Sequence, residues 1–67
     1  MSLERFYRER ATMALAGINH RSHLHKMIAD GLFPAPVKIG KRAVAWRESE
    51  IAAWQAARIA DRDASKN

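Results

Sequence analysis

The chain has 67 residues and a net charge of +5, which is enough for one small domain, and it contains no cysteine. The absence of cysteine excludes a disulfide framework and a zinc site built on thiolates. No apolar run approaches the roughly 18 residues of a membrane-spanning helix, and the first residues lack the apolar stretch of a secretory signal. We therefore expect a cytoplasmic protein.

The excess positive charge is concentrated in the middle of the chain. Between His20 and Arg47 there are six lysines and arginines but a single acid, Asp30, and this segment carries a charge equal to the net +5 of the whole chain. Clustered cations on a small domain are the electrostatic signature of a surface that binds phosphates. The charge pattern favours nucleic acid as a partner, with a solvated surface as the alternative.

The first helix is predicted from Leu3 or Glu4 to Ala16, with Ser2 as a candidate N-cap. Gly17 would end it in a left-handed conformation. The apolar positions that share one face at helical spacing are Tyr7, Ala11, Ala14, Leu15 and Ile18.

The second helix is predicted from about Arg21 to Asp30, with Gly31 after its end. Asn19 is the better candidate for its N-cap, and His20 is the alternative. The connection between the two helices is a short turn that contains a glycine, which is typical of a helix-turn-helix. The apolar face of this helix comprises Leu24, Met27 and Ile28.

A two-stranded hairpin is predicted from Val37–Ile39 and Ala43–Trp46, around a turn at residues 40–42. Phe33 and Ala35 each precede a proline, which favours an extended chain leading into it. An isolated hairpin is marginally stable in water, so it must pack on the helices. Its candidate anchors are Val37, Ile39, Val44 and Trp46.

The third helix is predicted to begin near Arg47 or Glu48. With Arg47 as the N-cap, Glu50 stands at the third position of a capping box, and Trp46 and Ile51 form a hydrophobic staple. Residues 1–60 then make one domain and residues 61–67 a frayed tail. The predicted fold is mostly α with a small β-hairpin: a winged helix-turn-helix of helix 1, helix 2, a two-stranded wing and helix 3.

The sequence from Gly31 to Trp54 also resembles a known family. It reads Gly-x-Phe-Pro from Gly31, Lys-x-Gly-x-Arg from Lys38 and Trp-x-x-x-Glu-Ile-x-x-Trp from Trp46. It is similar to the AlpA family, small prophage-encoded transcriptional regulators related to excisionases and MerR-type winged helix domains. The resemblance covers about residues 6 to 60. It implies that helix 2 enters the major groove and that the wing follows an adjacent groove or the backbone.

The turn before helix 2 departs from the family pattern, because it is one residue longer than in typical members. Arg21 and Ser22, at the helix start, are expected to reach DNA, Arg21 by pairing with guanine or by clamping a phosphate. The wing cations are expected to bind phosphates. The candidate DNA-binding residues are Asn19, His20, Arg21, Ser22, His25, Lys26, Lys38, Lys41, Arg42 and Arg47.

Metal binding and catalysis find little support. The histidines at positions 20, 23 and 25 lack a nearby Cys, Asp or Glu to complete a zinc site. Glu48 and Glu50 fall on different helix faces, and Ser22 near His25 has no evident orienting carboxylate. We expect no cofactor, no metal and no enzymatic activity.

The leading interpretation is a sequence-specific double-stranded DNA-binding protein that regulates phage or prophage transcription at the bacterial nucleoid. One alternative is an excisionase, a recombination directionality factor of the same fold. Another is a protein-interaction module that docks on an integrase or a polymerase through exposed faces of helices 1 and 3. Self-association, as a dimer or as a cooperative array on DNA, and binding to an integrase are left open as further partners.

Overall fold

The computed structural model describes residues 3–65, which form three helices and a small antiparallel sheet. The strand order is β1-β3-β2, so β3 lies at the centre of the sheet. The predicted winged helix-turn-helix layout is confirmed. In chain order the elements are β1 (Phe6–Tyr7), α1 (Glu9–Ala16), α2 (Arg21–Ala29), β2 (Val37–Gly40), β3 (Ala43–Arg47) and α3 (Glu48–Ser65).

The chain before α1 is a strand and not the first turn of a helix. Phe6 pairs with Arg47, and Tyr7 pairs with Trp46, in antiparallel register. The predicted helix start at Leu3 or Glu4 was therefore wrong, and the predicted cap Ser2 lies outside the described residues. Pairing with a segment some forty positions away is a tertiary contact, which local helical periodicity cannot reveal.

The buried face of α1 also differs from the prediction. Thr12 is fully buried, and its Oγ1 donates a hydrogen bond to the carbonyl of Tyr7 at 3.2 Å. Tyr7 and Ile18 do contact the core, but both lie outside the helix. Their helical spacing in the sequence therefore does not place them on one face of α1. The predicted face members Ala11, Ala14 and Leu15 are exposed.

The helix-turn-helix connection ends α1 as expected, with Gly17 in the left-handed region at φ 72°. His20 is the N-cap of α2 by position, in extended conformation, and no side chain of the described residues caps that end. The preference for Asn19 as the cap was therefore wrong. Leu24 is fully buried, and Gly31 follows the helix with φ 75°.

The hydrophobic core joins the helices to the central strand. Trp46 is fully buried, and its Nε1 donates to the carbonyl of Pro34 at 2.8 Å. Phe33 meets the ring of Trp54 edge-on, with ring centroids 4.9 Å apart. The interpretation of Phe33 and Trp46 as core is confirmed, and Trp54 is half-buried against that core. The buried cluster consists of Ile18, Leu24, Phe33, Trp46 and Ile51.

Of the four predicted hairpin anchors, Trp46 alone is buried. Val37, Ile39 and Val44 are 36%, 45% and 38% exposed, whereas Ala45 is fully buried. β3 lies between two strands, and its consecutive residues Ala45 and Trp46 point to opposite faces of the sheet. β2 is an edge strand with a register shift between Lys38 and Gly40. The apolar side chains of β2, Val37 and Ile39, are consequently less buried.

The start of α3 is capped by a residue from the far end of the chain. Glu4 Oε1 accepts hydrogen bonds from the backbone N–H of Ser49 at 3.1 Å and from its hydroxyl at 2.7 Å. Glu50 does not complete the predicted capping box, and its buried Oε1 has no hydrogen-bond partner within residues 3–65. The helix begins at Glu48, as predicted, and continues to Ser65. Fraying of residues 61–67 stays a prediction, and residues 66 and 67 lie outside the described part.

Across the described residues, no helix combines the length and the apolar character needed to cross a membrane.

Candidate nucleic-acid interface

The first turn of α2 presents an open helix end. Asn19, His20, Arg21 and Ser22 are all exposed there. The carbonyl of His20 accepts the N–H groups of residues 23 and 24, at 3.1 and 3.2 Å, so the helix starts cleanly after an extended residue. No acidic residue occupies this first turn. A helix N-terminus carries a partial positive charge and exposed N–H groups, so this end is suited to contact a phosphate.

Glu9, at the start of α1, contacts two of the candidate DNA-binding residues. Its Oε1 lies 2.8 Å from Arg21 Nε, and its Oε2 lies 3.1 Å from His25 Nε2. Arg21 and His25 remain 74% and 55% exposed, whereas Glu9 is 29% exposed. The sequence reasoning missed Glu9. No local signal links it to α2, because the contact depends on how the two helices pack.

Lys26 is held only loosely on the same helix. Its Nζ lies 3.5 Å from the carboxylate of Asp30, one helical turn later, and both side chains are exposed. Such a surface pair contributes about 0.3–0.5 kcal/mol. A phosphate could replace Asp30 at little cost.

The wing carries three exposed cations. Gly40 pairs with Ala43, which leaves Lys41 and Arg42 as the two residues at the tip of the hairpin. Lys38 lies on the edge strand β2. None of the three forms an ion pair within residues 3–65. Their charges are consequently not neutralised by the described part of the chain.

Arg47 differs from the other candidates because it has a strong internal partner. Its Nε and Nη2 both donate to Glu4 Oε2, at 2.9 and 2.7 Å. Hydrogen bonds from the side chain and backbone of Ser49, and then from Arg47, lower the pKa of Glu4 from 4.5 to about 2. The same contact raises the pKa of Arg47. Arg47 thus stabilises the junction of β1 and α3, and its contact with DNA stays a prediction.

The structure adds Arg10 to the neighbourhood of Arg21. The two arginines line an open groove of about 570 Å³ between α1 and the start of α2, together with Glu9 and Asn19. The apolar side of this groove is formed by Met13, Ala14 and Ile18. The sequence placed Arg10 outside the basic cluster, because the groove forms only when α1 packs beside α2.

The chemistry available at this surface is ionic and hydrogen-bonding. Among the described residues no group of three His, Cys, Asp or Glu side chains is close enough together to hold a metal ion. His25 is within reach of Glu9 but lies on an open surface. The arrangement can bind anions and the edges of bases, and its strongest donors are the guanidinium groups of Arg21 and Arg42.

Comparison with known proteins finds a matching family and a similar phage protein. The family described as "Prophage CP4-57 regulatory protein (AlpA)" matches residues 5–59, a span that includes every candidate DNA-binding residue. The chain is 46% identical over 59 residues to "Uncharacterized protein ORF88" of Enterobacteria phage P4. That alignment covers 88% of this chain and 66% of the phage protein, so the chain spans less than two thirds of its relative. No solved structure matches.

Proposed function

Because the chain belongs to the AlpA family of prophage regulatory proteins, we propose that it binds double-stranded DNA sequence-specifically and regulates phage or prophage transcription. The observation that carries the proposal is the hairpin tip. Lys41 and Arg42 stand exposed there with no acidic partner within residues 3–65. Unneutralised cations on a protruding hairpin suit the DNA backbone. A protein with this role acts at the bacterial nucleoid.

In this proposal α2 is the recognition helix. Its N-terminal residues are the ones that a helix in the major groove presents to base edges. Arg21 would pair with guanine O6 and N7, and Ser22 would contact a neighbouring base or phosphate. His25 and Lys26 follow one turn later on the exposed surface of the helix. Asn19 and His20 would contact the backbone where the chain enters the helix.

The wing would supply affinity without sequence information. Lys38, Lys41 and Arg42 would each neutralise a phosphate, and contacts of that kind fix the position of a protein on the duplex without reading bases. Arg47 would add a further phosphate contact, and its ion pair with Glu4 joins the end of the wing strand β3 to the segment before β1.

The experiment that tests the proposal is selection of bound duplexes from a random pool, followed by affinity measurements at several salt concentrations. We expect one sequence motif to be enriched, and the logarithm of the binding constant to fall linearly with the logarithm of the salt concentration. Equal recovery of all sequences, or an affinity that does not change with salt, would contradict the proposal.

An excisionase of the same fold would use the same residues, so binding experiments do not separate it from a transcriptional regulator. A reporter gene placed behind the selected motif and an excision assay with the cognate integrase do so. We expect reporter expression to respond to the protein with the integrase absent. A response confined to the excision assay would favour the excisionase.

The groove between α1, β1 and α3 supports a protein-interaction module as a second candidate function. It has a volume of about 660 Å³, and Tyr7, Leu15, Ile51, Ala52 and Gln55 contribute to its wall. Leu15 is 42% exposed there. A pull-down of integrase or polymerase that survives substitution of Arg21, Lys41 and Arg42, with no DNA retained, would favour this candidate.

A further inference from the structure

One carboxylate bridges the two helices at the proposed reading surface. Glu9 Oε1 lies 2.8 Å from Arg21 Nε, and Glu9 Oε2 lies 3.1 Å from His25 Nε2. Arg21 and His25 are four residues apart and therefore occupy the same face of α2. Both oxygens of a single acid are thus engaged by side chains that are candidates for contact with DNA.

The contact with Arg21 leaves the recognition end of its side chain open. A guanidinium group presents its N–H donors in a rigid planar fork. Glu9 Oε1 lies near the Nε atom of this group, and the side chain of Arg21 is still 74% exposed. The terminal nitrogens are thereby available for the bidentate contact with guanine O6 and N7. An arginine held at one edge also has less rotational freedom to lose when it binds.

The same carboxylate makes Arg21 a weaker phosphate ligand than an arginine without an acidic partner. A phosphate that approaches Arg21 also approaches the negative charge of Glu9, and like charges repel. Guanine O6 and N7 carry only partial negative charges, so the carboxylate repels them less than it repels a phosphate. Glu9 therefore favours contact of Arg21 with guanine over contact with a phosphate, the two roles that the sequence leaves open.

We propose that Glu9 is a specificity-determining positioning residue: it orients Arg21 toward guanine and disfavours the use of Arg21 as a phosphate clamp. This inference rests on the proposed function, because it requires a protein that distinguishes one duplex sequence from another. It goes further by assigning the discrimination to a residue of α1 that does not itself belong to the recognition helix.

The test compares the affinity for the selected duplex with that for a scrambled duplex of equal length. For Glu9→Gln we expect the ratio of the two affinities to fall by about five- to tenfold, the lower part of the range for one bidentate base contact. Binding to the scrambled duplex should become tighter. Its salt dependence should steepen by about 0.9 in logarithmic slope, as Arg21 becomes free to neutralise a phosphate.

Asp63→Asn is the matched control. It makes the same change in net charge but removes the partner of Arg62 near the end of α3. We expect this variant to keep the wild-type affinity ratio. A ratio that falls equally in both variants would overturn the inference, because it would show a general charge effect.

Two arginine variants separate positioning from a merely structural role. In an Arg21→Ala background, Glu9→Gln should produce no further change in the affinity ratio. Arg21→Lys keeps the charge beside Glu9 but lacks the planar fork, so its ratio should fall even if Glu9→Gln proves unstable in thermal melting. An unchanged ratio in Glu9→Gln or in Arg21→Lys overturns the inference, as does an equal effect of Glu9→Gln without Arg21.

The wild-type measurement distinguishes failure of this inference from failure of the proposed function. A wild-type protein that binds both duplexes equally overturns both. A wild-type protein that discriminates between them, together with a Glu9→Gln variant that discriminates equally well, overturns the role of Glu9 alone.

Discussion

Removing the two charges at the hairpin tip, by Lys41→Gln and Arg42→Gln together, should weaken binding to all DNA sequences alike. Each phosphate that a cation neutralises contributes about −0.9 to the slope of the logarithmic salt dependence. Both side chains lack an acidic partner within residues 3–65, so each is counted in full. The slope should therefore become shallower by about 1.8.

This change in slope has a measurable consequence for affinity. Over a fourfold rise in salt, two phosphate contacts account for about a twelvefold loss of binding, which the double variant should no longer show. The measurement is fluorescence anisotropy with a labelled duplex at several salt concentrations. Because both residues lie in an exposed turn, the free energy of unfolding should stay within about 0.5 kcal/mol of the wild type.

The matched control is Arg58→Gln with Arg62→Gln, which also removes two positive charges. Both of these arginines lie on α3 and are paired with Asp61 and Asp63. We expect the control to keep the wild-type slope. The reasoning is refuted if the tip variant keeps the wild-type slope, or if both double variants lower it equally.

Two further predictions concern stability. The folded protein lowers the pKa of Glu4 from 4.5 to about 2, so the ionised carboxylate is the form that the fold stabilises. The contribution of Glu4 is therefore complete above pH 4.5 and is lost as the pH falls toward 2. Melting temperatures measured against pH should fall less steeply over that window in Glu4→Gln, and an unchanged profile would contradict the assignment. Trp46→Phe removes the donor to the carbonyl of Pro34; denaturant unfolding should show a loss of about 1–3 kcal/mol, and a cost below that range would mean that water replaces the donor.

Local signals in the sequence predicted the helix-turn-helix and the hairpin well. Gly17 and Gly31 follow the first two helices in the left-handed conformation, and the residues before Pro34 and Pro36 lie outside any helix. These features depend on backbone preferences of single residues, which a sequence displays directly. The start of α3 at Glu48 was predicted from the spacing of Trp46 and Ile51 and from a capping box, and the start is correct although the capping box is not formed.

The choice of Asn19 over His20 as the cap of α2 failed locally, and other failed predictions depended on contacts between distant segments. The start of the first helix was predicted too early in the chain, because residues 6 and 7 pair with β3. Glu50 was placed in a capping box, although Glu4 supplies the cap. In both cases a contact across most of the chain overrides a plausible local alternative. Val37 and Ile39 were expected to anchor the wing, but they lie on the edge strand β2 and stay exposed.

The candidate interface also has residues that the sequence predicts and residues that it does not. Its cations lie close together in the chain, so counting charges along the sequence finds them, and the match to the AlpA family covers them all. The acids that accompany them could not be found by counting. Glu9 meets Arg21 and His25, and Glu4 meets Arg47, because packing brings separate elements together.

The sequence by itself therefore determined the order of the three helices and the hairpin, the location of the positive charge and the family. Each of these follows from residue types and short spacings, which need no knowledge of the fold. The tertiary structure alone decided which of those charges are paired and which are open. Arg47 is tied to Glu4, Arg21 is held by Glu9, and Lys41 and Arg42 are unpaired among residues 3–65. Ion pairing depends on distances of a few ångströms between segments far apart in the chain, and the folded backbone sets those distances.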